Sequence, residues 1–375
     1  MSFSARLAGF RPPSEHNPWL DWIRFLAALV VFMTHTRDVL LVEYSLLEPA
    51  SQNFAVAVFY GLTRLGTEAV IVFFVLSGFL VGGPVYERYK AGTFDVYRYS
   101  VDRVVRILVP LYPVIGITVA VSLYLGNDTD ILAKTIGHLA SVQAAYVPLF
   151  RNNVPLWSLA YEVWFYIIAG SLAVVLTRAN SAAKKAAGLL FLVLSVAVFW
   201  HLKIHYLLVW FLGAAAFVFR PSQLRMPHLA AGAVLVVLGV AARQISKSSS
   251  FFSIGETGFP AGVAAGELTI GIGMCLVIAN LFLIRNRHTA IERLGKFLAA
   301  FSFSLYLVHQ PILRLWPVQD QTQVTWQIAG QFLLVTVVIL VAAWAYARIF
   351  EQNGAKIKAA VFGLGKTDVP DPKKA

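Results

Sequence analysis

A chain of 375 residues that is 58% hydrophobic and only 13% charged, with a mean hydropathy of +0.69, is too apolar for a soluble enzyme and needs lipid around much of its surface. The formal net charge of +12 would fit a nucleic-acid binder in a soluble protein, but the placement of the basic residues points to membrane topology instead. Cys275 is the single cysteine, which excludes an internal disulfide and a thiolate metal cluster.

Ten apolar stretches follow one another along the chain: Leu20–Val42, Glu68–Gly83, Val104–Leu125, Val154–Leu176, Ala186–Trp200, Tyr206–Phe219, Leu229–Ala242, Gly262–Ile284, Phe297–Trp316 and Ile328–Ile349. Several reach the roughly 20 residues that a spanning helix needs, whereas the second, fifth, sixth and seventh are short. Residues Phe54–Tyr60 either extend the second span or lie on the membrane surface. The expectation is an all-α, polytopic bundle of about ten transmembrane helices with both termini cytoplasmic. Residues 1–350 form the membrane domain, and 351–375, ending DVPDPKKA, form a disordered cytoplasmic tail. The first helix lacks a small-residue cleavage site and is too polar for a signal peptide, so it is expected to stay. In this topology 22 of the 31 lysines and arginines face the cytoplasm and eight, among them Arg243, face outside. That asymmetry fits the positive-inside rule and accounts for the basic charge without nucleic acid. The sequence shows no internal repeat and no phosphate-binding glycine loop.

Several polar residues lie where a span should carry none. In the first stretch Arg24 and His35 are eleven positions apart, close to three helical turns, so they share a stripe about 16 Å long. Each also has a plainer reading, as an interfacial arginine and a histidine satisfied inside the bundle. In the second stretch Ser77-Gly78 marks either close helix packing or a break that lines a cavity, and Glu68 is interfacial. Arg103 and Arg106 enter the third span at i and i+3 from the cytoplasmic side, where guanidinium groups suit phosphate as well as lipid headgroups. Ser158 and Glu162 share a face of the fourth span near the expected depth of His35. A carboxylate there would orient the imidazole, or pair with a buried arginine. In the ninth span Ser302, Tyr306 and His309 fall on one stripe, followed by Pro311, which would kink the helix.

Taken together and in order, these motifs resemble the membrane acyltransferase-3 family, which O-acylates bacterial surface sugars. The matching residues are Arg24 and His35 with ten residues between them, FFVLSGF (Phe73–Phe79), RVVRILVP (Arg103–Pro110), PLWSLAYE (Pro155–Glu162) and SFSLYLVHQP (Ser302–Pro311). The resemblance implies a multi-pass protein of the inner or plasma membrane. It implies too that His35, Glu162 and Arg24 are the catalytic set. The donor is then cytoplasmic acyl-CoA, with acetyl expected on family frequency, and no metal is required. Arg103, Arg106 and Ser77 are the candidate donor-binding residues; Ser158, Trp157 and His309 are the candidate acceptor-binding residues. The implied partners are membrane lipid, a carbohydrate or glycolipid acceptor and polysaccharide-assembly proteins. Many relatives carry an acidic residue shortly before the FF pair, where this chain has Ile71 and Val72. Some also carry an extracytoplasmic hydrolase-like domain. Here the chain ends soon after its last span, so a second transfer would need a partner protein. The rival readings are a secondary transporter with an intramembrane Arg/His/Glu site and a structural or assembly protein without chemistry.

Overall fold

The computed structural model describes residues 17–248, 253–254, 259–284 and 289–362. The described chain is helical apart from a two-residue antiparallel pairing of Ser253–Ile254 with Phe259–Pro260 and isolated bridges. Helix α1 (Pro18–Leu40) begins at Asn17, whose Oδ1 accepts from the amides of Trp19 and Leu20 at 3.0 and 3.3 Å, with proline at the first helical position. Asn17 Nδ2 also donates to Phe282 O at 3.0 Å, fastening the start of α1 to the end of a distant span.

Next come α2 (Phe54–Thr63) and α3 (Gly66–Ser77), which runs through a π-helical turn (Gly78–Gly82) into α4 (Gly83–Lys90). Helix α5 (Val96–Leu125) is opened by the Asp95 side chain and closed by Gly126 in the left-handed region, φ 58°. A short helix α6 (Ile131–Leu139) and a 3-10 segment (Arg151–Leu156) lead into α7 (Trp157–Leu176). Helices α8 (Ala182–Phe199), α9 (Ile204–Val218), α10 (Met226–Ser248) and α11 (Ala261–Leu281) follow. The chain then forms α12 (Thr289–Ala299), α13 (Ser302–Leu313), α14 (Trp326–Tyr346), a second π-helical turn (Ala347–Glu351) and α15 (Gly354–Phe362).

Among the described residues, seven helices are long and apolar enough to cross a membrane; α9, at 15 residues, is shorter, and α1 and α13 are not among the seven. Each of the ten expected stretches falls on helix, but three fail that test of length and composition. Helix α1 carries Asp21, Arg24, Arg37 and Asp38, and α13 has only 12 residues. The ninth stretch is not one helix. It breaks at Ala300–Phe301, leaving α12 and α13 as separate pieces.

Residues expected to begin a disordered tail instead include a helix, α15, whose Lys358 Nζ lies 2.5 Å from Asp102 Oδ1 on α5. The remainder of that expected tail, 363–375, lies outside the described residues.

The Ser77-Gly78 pair is both a packing device and a break. A Cβ on Gly78 would lie 1.9 Å from Trp210 O, and one on Gly213 would lie 2.3 Å from Val75 O, so α3 and α9 cross backbone to backbone. The same position starts the π turn, a common feature beside functional sites. Pro311 deprives Leu307 O of its usual i+4 amide, and that carbonyl accepts instead from Asn153 Nδ2 at 3.3 Å.

Glu68 and Arg243, read from sequence as interfacial and external, are both buried. Arg243 bonds Glu68 Oε1 at 2.9 Å and Glu267 Oε1 at 3.0 Å, and His205 Nε2 lies 2.7 Å from Glu267 Oε2. This network bolts the α10–α11 hairpin to α3 and α9.

Candidate active site

Helices α1, α3, α5, α7 and α13 enclose a cavity of about 270 Å³. It gathers side chains from all five motifs: Arg24, Ser77, Arg103, Arg106, Ser158, Glu162, Ser302 and Tyr306 line it. Three arginines facing one space inside an apolar bundle are costly unless an anion is expected there.

Their existing partners are sparse. Arg24 has Asp21 at 3.6 Å, one turn earlier on α1. Arg106 Nη1 donates to Glu351 Oε1 at 2.8 Å. Arg103 lies with its guanidinium carbon 5.4 Å from the Tyr166 ring centre, and its Nε is buried without a hydrogen-bond partner. Donors are therefore on offer to a phosphate-bearing molecule, which planar guanidinium groups bind through paired N–H groups.

One wall is a relay of hydrogen bonds. Trp210 Nε1 donates to Ser77 Oγ at 3.0 Å, Ser77 Oγ donates to Tyr166 Oη at 3.1 Å, and Tyr166 Oη donates to Glu162 Oε1 at 2.5 Å. Ser77 is thus placed in the cavity wall, but its hydroxyl is engaged on both sides. Glu162 faces the arginine cavity and makes no ion pair within 4.0 Å among the described residues. The expected Glu162–His35 hydrogen bond is not formed. Helical spacing gives the face of each residue on its own helix, but Glu162 lies at the level of Arg24 and the other cavity arginines, and Ser158 and Tyr306 stand between it and the histidines.

The cavity is closed at its other end by Ser158 and Tyr306, whose hydroxyl oxygens are 2.6 Å apart, and Tyr306 Oη donates to Pro155 O at 2.7 Å. Beyond this closure stand the two histidines. The His309 ring lies 6.0 Å from that of Tyr306, and His35 stacks on His309 at 5.4 Å and 24°. His309 Nδ1 lies 3.0 Å from Leu305 O; since a carbonyl only accepts, Nδ1 carries the proton and Nε2 is left as an acceptor. That Nε2 is buried without a partner. His35 is half-buried and does not line the cavity. Trp157 stands apart as well, in an aromatic cluster with Phe74, Tyr161 and Tyr206.

Among the described residues no group of three or more His, Cys, Asp or Glu side chains is placed to hold a metal ion. Sequence reasoning missed Tyr166, although it continues the Ser158–Glu162 stripe at i+4 and so carried a signal. It also missed Glu351 and the Glu68–Arg243–Glu267–His205 network, whose members are far apart in sequence.

A family model described as an acyltransferase domain, the acyltransferase-3 domain, matches residues 17–348. The chain belongs to the acyltransferase-3 family. Its long apolar helices fit a multi-pass membrane protein, and the family model that it matches is that of an acyltransferase domain. An uncharacterized protein of Haemophilus influenzae (strain ATCC 51907 / DSM 11121 / KW20 / Rd) is 28% identical over 110 residues, which is 26% of this chain. The chain covers 45% of the length of that relative. No solved structure matches.

Proposed function

We propose that this acyltransferase moves an acyl group, acetyl on family frequency, from cytoplasmic acyl-CoA to a hydroxyl of an extracytoplasmic carbohydrate such as exopolysaccharide or lipopolysaccharide. The observation that carries the reading is the convergence of Arg24, Arg103 and Arg106 on one cavity beside the histidine pair. Donor phosphates lie against the arginines, at the end of the cavity that the positive-inside topology assigns to the cytoplasm. The thioester points toward Ser158 and Tyr306, whose hydroxyl contact parts to admit it, and the acceptor approaches His35 from the other side. His35 removes the hydroxyl proton as the oxygen attacks the thioester carbonyl; the C–S bond breaks and the CoA thiolate takes up a proton. In the alternative order His35 first takes the acyl group from sulfur and then yields it to the hydroxyl. Glu162, held by Tyr166, balances the arginine charge in either route.

Purified protein should hydrolyse or exchange the thioester of acetyl-CoA, and a deletion strain should lose acyl signals from its surface polysaccharide by proton NMR. A protein that leaves acetyl-CoA intact in membranes and in detergent, with polysaccharide unchanged on deletion, refutes the reading.

A further inference from the structure

Glu351 is out of place for a surface acid. It ends the π turn after α14, yet its side chain is only 3% exposed and is inserted between α5 and α13. One carboxylate oxygen accepts from Arg106 Nη1 at 2.8 Å. The other accepts from Ser304 Oγ at 2.8 Å and from the Ser304 amide at 3.2 Å. Ser304 sits in the first turn of α13, which has no side-chain cap of its own at Phe301. A guanidinium, a hydroxyl and a helix-start amide converging on one carboxylate form an anion site. The site adjoins the cavity, since Arg106, Ser302 and Phe303 also line it, together with Arg103.

We propose that this is a phosphate subsite for the acyl-CoA donor, that Glu351 occupies it when no donor is bound, and that Ala347–Phe362 is a strap which donor binding releases. This rests on the acyl-CoA reading above. A phosphate group offers Arg106 and Ser304 the same acceptor oxygens with greater charge, so the two anions compete for one set of donors. The strap is built to yield. The π turn (Ala347–Glu351) holds one residue more per turn than an α-helix, and its return to α geometry turns everything beyond it by about 100°, carrying Glu351 out of the site. Beyond the turn the segment is held by the Lys358–Asp102 pair at 2.5 Å and by Gly354 lying against Val105.

A strap closed for about nine-tenths of the time weakens apparent donor affinity about tenfold. The test uses the full chain in nanodiscs, with CoA binding read by calorimetry and exchange of the 354–362 amides read by hydrogen–deuterium mass spectrometry. Glu351→Gln, which removes the competing charge, is expected to bind CoA about tenfold tighter. Lys358→Ala, at a residue that does not line the cavity, is expected to tighten binding in the same direction by a smaller factor. In the wild type, saturating CoA should speed exchange across 354–362. Equal or weaker CoA binding by both variants, or exchange across 354–362 indifferent to CoA, overturns the strap and leaves Glu351 as a fixed orienter of Arg106. Failure of wild type and both variants to bind CoA at all overturns the donor reading, and the strap with it.

Discussion

At the scale of single residues, the two ends of the site do different work, and substitutions should separate them. His35→Ala is expected to abolish acyl transfer while leaving CoA affinity near wild type, because the imidazole lies outside the arginine cavity, beyond Tyr306 and His309. Transfer assays in membranes of matched protein content check this, and near wild-type transfer would remove His35 from the mechanism. The double change Arg103→Ala/Arg106→Ala is expected to do the reverse at the binding step. Each lost charge-assisted contact should cost on the order of 1.5–3 kcal/mol in CoA affinity. Tyr166→Phe deletes the hydroxyl between Ser77 and Glu162 but keeps the ring under Arg103, so thermal unfolding should show a loss of about 1–3 kcal/mol. The identity of these groups was largely legible in the sequence, because arginine, glutamate and histidine inside apolar helices draw notice by their cost. Their partners were not. Position along one helix follows from counting, but whether Glu162 stands level with His35 or with Arg24 depends on how α7 and α1 are offset along their axes, and no period in the sequence encodes that.

At the scale of elements, close crossings and loop anchors hold the motif-bearing helices in register. Gly78→Val places a branched side chain where even a Cβ would meet Trp210 O at 1.9 Å, so α3 and α9 must separate. The expected cost is at least the roughly 1–3 kcal/mol of an overpacked core, read as a lowered melting temperature. The loop before α7 is anchored differently. Asp128 accepts hydrogen bonds from Lys134 Nζ, from the Thr129 amide at 3.1 Å and from the Arg151 amide at 2.9 Å. Burial alone would raise its pKa, but Lys134 and the two amides outweigh that and hold the carboxyl below its ordinary 3.8. A depressed folded-state pKa gives stability that is present above the unfolded value and lost as pH falls through the folded one. Amide protection across α6 should therefore be level near neutrality and fall only below about pH 3.8, and Asp128→Asn should abolish that step. Helix positions were readable here from apolar length, while the break at Ala300–Phe301 was not. Apolar residues continue straight through it, and nothing local marks the turn between α12 and α13.

At the scale of the whole molecule, the proposed direction of transfer rests on which end of the bundle lies nearer the arginines. The Arg106–Glu351 and Lys358–Asp102 contacts place the end of α14, the strap and the beginning of α5 at one end of the bundle. The segment Val85–Arg103 joins α4 to α5 at that same end, whereas Asn127–Asn153 joins α5 to α7 at the other. By the positive-inside rule, the excess of lysine and arginine on the first of these sides is the ground for proposing that it faces the cytoplasm. Replacing Cys275 and introducing single cysteines at Thr93, Thr129 and Asn353 gives a direct measurement with a membrane-impermeant thiol reagent on intact cells. Thr129 is expected to label from outside; Thr93 and Asn353 are expected to label only after the membrane is opened. The contacts tie Thr93 and Asn353 to one side, so labelling that separates them breaks the packing of α5 against the strap. Labelling of both from outside would keep the fold but invert it, facing the arginine cavity away from cytoplasmic acyl-CoA and removing the donor assignment at a stroke.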